Sequence, residues 1–433
     1  MAQGNSPSPQ SAADKGILSR EALPVFVIFF MWGFGTGALW VVRPLFAYQL
    51  SGDSIFLVGI VSAASAAPRI FIGPITGYLS DRWGRRPLIM MGAIGHALIL
   101  VGQFFSQDYL QFFLLEILAG VSIAFWNVSS NVLVADITKV SNRGRGVAVR
   151  NISQRSGQLA GPLMGGLIAA FMELRYVFLF IAATKLVVLF ITIFLVRETK
   201  PEREKAKPAE PETSATQSQP AGSPATPKRQ RIDLAMFRSR SFVALVAATL
   251  AYGMIGVGPG VFRTFFPVHA ELNAGLGATE IGSLVSIAGF ATLAITLPVG
   301  LLMDLRGRKL MLFMGMAFTA VSAFVMAGTG AFPMALVAVI VFGIGEGINT
   351  SAIQTYAMDL APPDKRGMFL GIWHVSMNIG QFAGPLGIGL VANYFGMAAG
   401  FTVMAGIVTA AAVIVLVFAK ETRQRRQSTA APG

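Results

Sequence analysis

The sequence predicts an all-α membrane protein whose twelve transmembrane helices form two pseudo-symmetric halves of six helices each. Its composition points to the membrane, because 54% of the 433 residues are hydrophobic and 13% are charged, against about 25% charged residues in a soluble domain. About twelve apolar runs reach the roughly 20 residues that a membrane-spanning helix needs. Six runs lie on each side of a polar stretch at 198–240. The chain also repeats itself at a displacement of 223 residues, since the motif that starts at Gly77 starts again at Gly300.

The predicted spans divide the chain into five segments. In the first half the spans are 23–49, 55–80, 87–106, 110–138, 144–172 and 175–197, and in the second half they are 242–271, 279–303, 309–329, 332–361, 367–392 and 396–420. The segments are therefore an N-terminal tail at 1–22, an N-terminal half at 23–197, a linker at 198–240, a C-terminal half at 241–420 and a C-terminal tail at 421–433. The linker is rich in charged residues, Pro, Ala, Ser and Thr, which is typical of a disordered tether.

The distribution of basic residues predicts the orientation in the membrane. The net charge is +13, from 34 Lys and Arg against 21 Asp and Glu. We assign 27 of those 34 basic residues to the tails, the linker and the loops on the same side of the membrane. The positive-inside rule then places both termini and the linker in the cytoplasm, and the charge needs no nucleic-acid partner. The absence of cysteine excludes disulfides and thiolate metal sites, and no metal or cofactor is expected.

A basic turn between two apolar segments occurs in each half. Its pattern, G-x-x-x-D-x-x-G-R-[RK], covers 77–86 and 300–309, and we call these two turns the signature loops. The pattern resembles the loop between the second and third helices of the major facilitator superfamily, which implies that family's fold of two six-helix repeats. In that family the aspartate caps a helix of the other half, and the arginine pairs with an acid that ends the fourth helix. The resemblance therefore implies conformational gating by Gly77, Asp81, Arg85 and Asp136 and by the repeat set Asp304, Arg308 and Asp359.

The fifth predicted helix carries a second pattern, G-x-x-x-G-P-x-x-G-G, at 157–166. It resembles a motif of the superfamily's bacterial proton-coupled exporters. Glycines at this spacing let helices approach closely, so we assign helix packing to Gly157, Gly161, Pro162, Gly165 and Gly166. A near copy at 380–389 on the eleventh helix leaves an alternative, which is that both copies serve packing rather than export.

Polar residues inside a bilayer are costly, so those that recur on one face of a helix predict a water-filled cavity. Such stripes occur on the fourth, fifth, tenth and eleventh helices, and several of their positions are related by the displacement of 223 residues. With arginines of the first and seventh helices they give the candidate substrate-binding residues, which are Arg43, Asn127, Asn131, Asn151, Arg155, Gln158, Arg263, Asn349, Thr350, Gln354, His374 and Asn378. For any single residue, hydrogen bonding between helices without a substrate is the alternative.

Charged residues within the predicted helices give this cavity a positive bias. Glu116 and Glu346 are the only acids well inside the cavity-lining helices, against the arginines Arg43, Arg155 and Arg263. Desolvation favours the protonated form of a carboxyl group near the midplane, so we assign proton coupling to Glu346, with Glu116 as the second choice. The alternative is a permanent ion pair between Glu346 and Arg263, and Arg43 can pair with Glu116.

Two other cations within the spans are not assigned to the substrate. Arg69 follows Pro68 and is expected to bond carbonyls or to bridge the halves. Lys185 on the sixth helix is expected to extend its amine toward the membrane surface.

These features predict a secondary transporter that works by alternating access. It is expected to be a monomer in a bacterial cytoplasmic membrane or a membrane derived from it. The leading prediction is proton-coupled efflux of an amphiphilic metabolite or drug. Proton-coupled symport of an organic anion, or of a metal-linked cargo, is the alternative, and a non-transporting receptor or scaffold is the remote one. An enzyme is not expected, because the sequence offers no cluster of metal ligands and no pairing of nucleophile and base.

Overall fold

A computed structural model describes residues 23–137, 143–196, 198, 239–256, 260–362 and 366–422. Within these ranges the structure is helical and contains no strand. The predicted N-terminal tail, nearly all of the predicted linker and most of the C-terminal tail lie outside the described residues.

The described residues form thirteen helices in two groups. The first group is α1 (Leu23–Leu50), α2 (Ile55–Trp83), α3 (Arg85–Phe105), α4 (Tyr109–Ile137), α5 (Arg143–Phe171) and α6 (Tyr176–Leu195). The second group is α7 (Arg240–Ile255), α8 (Val261–Ala274), α9 (Ala278–Arg306), α10 (Arg308–Ala327), α11 (Phe332–Leu360), α12 (Arg366–Phe395) and α13 (Met397–Phe418). Ten of these helices contain an apolar segment long enough to cross a membrane. The predicted all-α membrane fold is therefore confirmed.

The helix count differs from the prediction because the seventh predicted span, 242–271, is two helices. Helix α7 ends at Ile255, where the N–H of Gly256 donates to the carbonyl of Tyr252, and α8 begins after Gly260. The sequence at 256–260 is Gly-Val-Gly-Pro-Gly. The related stretch of α1, at 33–37, has the same three glycines but a threonine in place of the proline, and it stays helical. Proline lacks an N–H and disfavours helical backbone in the residue before it, which accounts for the break.

The two groups pack in the same way. In the first group α1 packs against α5 and α6, α3 packs against α4 and α6, and α2 packs against α4. In the second group α7 packs against α12 and α13, α10 packs against α11 and α13, and α9 packs against α11. Each contact in one half has its counterpart in the other, so the predicted pseudo-symmetry extends to the packing.

The halves meet through α2 against α12 and through α5 against α9. We call the end of the bundle that carries the signature loops the signature end, and the opposite end the far end. Near the far end, the N–H of Leu163 donates to Ser286 Oγ at 3.1 Å, and the hydroxyls of Thr264 and Ser62 lie 2.9 Å apart. Gly73 and Gly300, toward the signature end of α2 and α9, face open space. The hydrogen bonds between the halves therefore lie toward the far end.

The glycine pattern of α5 allows close packing with two neighbours. A Cβ atom added at Gly157 or Gly161 would collide with backbone carbonyls of α1, and one added at Gly166 would collide with the start of α9. The near copy on α12 is equivalent, because a Cβ at Gly380 would collide with the backbone of α7. This equivalence favours the packing explanation of both copies.

Candidate functional site

A cavity of about 510 Å³ lies between the halves and is lined by residues of α1–α5, α7, α8 and α11. Its wall contains five arginines, Arg43, Arg69, Arg150, Arg155 and Arg263. Among the described lining residues, Glu346 is the only acid. Trp32 and Trp40 of α1 add aromatic surface to this wall. The cavity is therefore cationic and partly aromatic.

Nine of the predicted residues line this cavity. They are Arg43, Asn127, Asn151, Arg155, Gln158, Arg263, Glu346, Thr350 and Gln354. The wall also holds Arg69 and Arg150, which were not assigned to the substrate from the sequence. His96 of α3 lines the cavity too, although it lies outside the polar stripes that predicted the site.

The other predicted cavity residues lie elsewhere. Asn131 is exposed one turn beyond Asn127, and Asn349 is buried with its Nδ2 donating to Thr319 Oγ1 of α10 at 3.1 Å. The indole of Trp373 donates to Thr249 of α7 at 2.8 Å, which fixes the rotation of α12. His374 is exposed beside this indole, and Asn378 is only partly buried one turn further on. Hydrogen bonds and packing between helices thus decide which face of each stripe reaches the cavity.

Arg263 of the second half contacts Glu346 of its own half and Trp40 of the first half at the cavity wall. Its Nη2 donates to Glu346 Oε1 at 2.8 Å, and the two side chains are 10% and 9% exposed. Its guanidinium also lies 4.0 Å from the ring centroid of Trp40, close enough for a cation–π interaction. Arg263 is the third residue of α8, so the break between α7 and α8 places it there. Glu346 and Arg263 are therefore in contact, as predicted.

A second ion pair lies behind the cavity wall. Arg43 Nη1 is 3.7 Å from Glu116 Oε2, and Gln103 Nε2 donates to Glu116 Oε1 at 2.9 Å. Glu116 is buried and does not line the cavity. The carboxylate is therefore held by partners on α1 and α3, away from the space that a substrate would occupy.

Lys185 does not extend toward the membrane surface. It is fully buried, its Nζ donates to the carbonyl of Trp32 at 3.0 Å, and it lies 4.1 Å from the centroid of that indole. The glycine at position 35 leaves the room for this contact, since a Cβ there would lie 3.0 Å from Lys185 Nζ. Arg69, by contrast, bonds a carbonyl as expected, with its Nε donating to Ser65 O at 3.0 Å.

The signature loops form the arginine–acid contacts that the resemblance implies. Arg85 Nε lies 2.8 Å from Asp136 Oδ2, and Arg308 Nε lies 2.6 Å from Asp359 Oδ2. Asp81 is different, because its side chain is 75% exposed and lies 3.4 Å from Arg85 of its own loop. The implied cap on a helix of the other half is not made with the part of the chain that the structure describes. The gating roles themselves stay predictions.

Two further acids, Glu198 of the predicted linker and Glu421 of the predicted C-terminal tail, bind the signature loops. The carboxylate of Glu198 accepts from the N–H groups of Arg85 and Arg86 at 2.8 and 3.1 Å, at the start of α3. Glu421 accepts in the same way from Arg308 and Lys309 at 2.8 and 3.2 Å, at the start of α10. The two glutamates are related by the displacement of 223 residues, each in a basic-Glu-Thr sequence. That repeat was the signal that could have revealed them.

The glycine of each signature loop allows this capping. Gly84 and Gly307 have φ angles of +102° and +98°, which L side chains rarely adopt, and a glutamate carboxylate occupies the place of each missing Cβ.

Comparison with known proteins agrees with this architecture. The family model described as Major Facilitator Superfamily matches residues 25–274 and 249–433. The chain belongs to the major facilitator superfamily. As a member it is a membrane transporter and not an enzyme, so the resemblance found in the signature loops is confirmed.

Several known proteins match along nearly their whole length. The multidrug resistance protein MdtG of Escherichia coli O9:H4 is 27% identical over 398 residues, covering 90% of this chain and 92% of that protein. The class H tetracycline resistance protein of Pasteurella multocida is 22% identical over 380 residues, covering 87% and 90%. A bacterial homologue of the human lysosomal transporter Spinster, solved in an inward-facing and unoccupied conformation, has a TM-score of 0.70 at 15% identity, covering 94% of this chain and 96% of that one. This structural likeness supports the fold.

Proposed function

We propose that this superfamily member carries an amphiphilic organic anion across a bacterial cytoplasmic membrane by alternating access, in symport with protons. One observation carries the proposal, namely that five arginines line a single cavity in which Glu346 is the only acid among the described residues. The proposal includes a monomer with both termini in the cytoplasm, as the basic residues predict. With the contacts between the halves toward the far end, the cavity would then open to the cytoplasm.

The charge of the cavity favours an anion over a cationic or neutral cargo. A charged side chain within a membrane is costly and is normally offset by a partner of opposite charge. A cationic drug would add to the excess positive charge, whereas an anion would remove part of it through charge-assisted hydrogen bonds. The rings of Trp32 and Trp40 on the same wall favour a cargo with an apolar or aromatic part.

The pair formed by Arg263 and Glu346 favours symport as the mode of coupling. An anion that binds Arg263 must compete with the carboxylate of Glu346, which holds the guanidinium at 2.8 Å. Protonating Glu346 removes this competitor, so the proton and the anion bind best together. Binding linkage is reciprocal, and each ligand then raises the affinity for the other by the same factor. Anion and proton would therefore travel in the same direction.

Efflux of an amphiphilic drug is the second candidate. The names of the relatives from E. coli and P. multocida, which concern multidrug and tetracycline resistance, favour it. The glycine pattern of α5 favours it less, because α12 uses the near copy for equivalent packing. The two candidates differ in the charge of the cargo and in its direction relative to protons.

Transport into proteoliposomes with an imposed pH gradient separates them. Benzenesulfonate is a suitable probe, because it stays ionised and cannot cross the bilayer as a neutral acid. We expect it to accumulate on the alkaline side, driven by protons that move the same way. Protein-free vesicles and collapse of the gradient with a protonophore are the controls.

Accumulation on the acidic side would show exchange against protons and would favour efflux. Transport of a lipophilic cation without transport of the sulfonate would refute the proposal of an organic anion. The same vesicles loaded with unlabelled probe test counterflow, which reports alternating access without a gradient.

A further inference from the structure

We infer that the cargo of this cavity carries at least two negative charges. The inference rests on the proposed function and narrows it from organic anions to organic dianions. It follows from the number of lining arginines that form no ion pair with an acid of the described chain.

The cavity and its immediate surroundings hold more positive than negative charge. Arg43 lies 3.7 Å from Glu116, and Arg263 lies 2.8 Å from Glu346. The remaining lining arginines, Arg69, Arg150 and Arg155, form no ion pair with any acid in the described part of the chain. The five lining arginines against these two acids leave an excess of three positive charges, before the buried Lys185 behind Trp32 is counted.

The hydrogen bonds that Arg69 and Arg150 make do not neutralise them. Arg69 donates to the neutral carbonyl of Ser65 in its own helix. Arg150 donates to the amide oxygen of Asn151 at 2.8 Å, and its Nε is buried without a hydrogen-bond partner among the described residues. Arg150 and Arg155 lie on the same helix and line the same cavity, where their like charges repel each other. An anion between these groups would relieve the repulsion and satisfy the open donor.

Alternating access makes this excess costly. While the cavity is open at one end, water solvates the guanidinium groups, but the cavity must close around its cargo before it opens to the other side. Water then leaves, and uncompensated charges become much more expensive. Protonation of Glu346 would increase the excess by one charge. A monoanion would offset only one of the three unpaired arginines, whereas a dianion would offset two.

The two charges can reside in one group or in two. A phosphate monoester places both on one group and suits the forked donors of an arginine. A dicarboxylate or disulfonate separates them, which suits arginines on different helices such as α2 and α5. Both chemistries are dianionic, and the experiment distinguishes them.

Tryptophan fluorescence of the purified full-length protein measures binding, because Trp32 and Trp40 line the cavity. The probes form two matched pairs of equal ring size. The first pair is benzenesulfonate and benzene-1,3-disulfonate, and the second is methyl phenyl phosphate and phenyl phosphate at a pH where the latter is a dianion. Neutral benzenesulfonamide is the reference. We expect at least one dianion to bind about tenfold or more tightly than its monoanionic partner.

Charge-removing variants test where this preference arises. Arg150→Gln and Arg155→Gln should each reduce the dianion-to-monoanion ratio to within about threefold of unity. Arg175→Gln is the matched control, since Arg175 is 41% exposed at the far end and pairs with Glu173; its ratio should stay at the wild-type value. Thermal unfolding of each variant checks that a lost preference does not reflect a lost fold.

The binding results separate the dianion inference from the organic-anion function. A preference for phenyl phosphate alone supports a single dianionic group, and a preference for the disulfonate alone supports two separated groups. Equal affinity for monoanions and dianions would overturn the inference and leave the organic-anion function standing. If no anion binds more tightly than benzenesulfonamide, the inference and the proposed function both fail.

Discussion

Replacing Glu346 with glutamine tests the proposed coupling most directly. Glutamine keeps the shape of the side chain and one oxygen that can accept from Arg263, but it cannot take up or release the coupling proton. The native contact is 2.8 Å long, and both side chains are about nine-tenths buried. A hydrogen bond to a charged group of this kind contributes about 1.5–3 kcal/mol. Glutamine can still accept from Arg263 but lacks the negative charge, so about half of this contribution is lost. An anion should therefore bind Arg263 roughly 3- to 10-fold more tightly in Glu346→Gln at alkaline pH.

The pH dependence of anion binding gives the sharper comparison. In the wild type, affinity for benzenesulfonate should fall as the pH rises, because deprotonated Glu346 reclaims Arg263. In Glu346→Gln the affinity should stay at its high value throughout. In proteoliposomes the variant should keep counterflow but lose accumulation driven by a pH gradient.

Glu173→Gln is the matched control, because Glu173 is 71% exposed at the far end and the substitution is chemically the same. It should behave as the wild type. If Glu346→Gln still concentrates the sulfonate against its gradient, or keeps the wild-type pH dependence of binding, Glu346 is not the proton carrier. The contact with Arg263 would then be a permanent structural ion pair, and Glu116→Gln would be the next variant to measure.

Three further outcomes follow from the fold. Asp81→Asn should leave equilibrium anion binding unchanged but slow counterflow, since Asp81 lies at the signature end and away from the cavity; a large loss of binding with normal exchange would contradict its gating role. Glu421→Gln should lower the free energy of unfolding by about 1 kcal/mol, measured by thermal melting, because the start of α10 loses its charged cap. Gly157→Ala should destabilise the fold by about 2 kcal/mol or more through collision with α1, whereas the matched Gly73→Ala, which faces open space, should be neutral or slightly stabilising.

Part of the site could be read from residue type and spacing. Acids are so rare inside the spans that Glu116 and Glu346 had few possible partners, and both pairings are present. The contacts of Arg85 and Arg308 with their acids were implied instead by the resemblance to the major facilitator superfamily. The break between α7 and α8 was not predicted, although the sequence carries a local signal for it in Pro259, which α1 lacks.

The sequence by itself determined the membrane class, the two repeated halves and the cationic character of the interior. These features depend on composition and on a repeat of fixed length, which need no knowledge of neighbours. Only the tertiary structure decided which polar positions face the cavity, such as Asn127 but not Asn131, and brought Arg69, Arg150 and His96 to its wall. The reason is that lipid is as apolar as the protein interior. Hydrophobicity therefore cannot distinguish a buried helix face from a lipid-facing one, and the rotation of each helix is fixed by contacts with its neighbours.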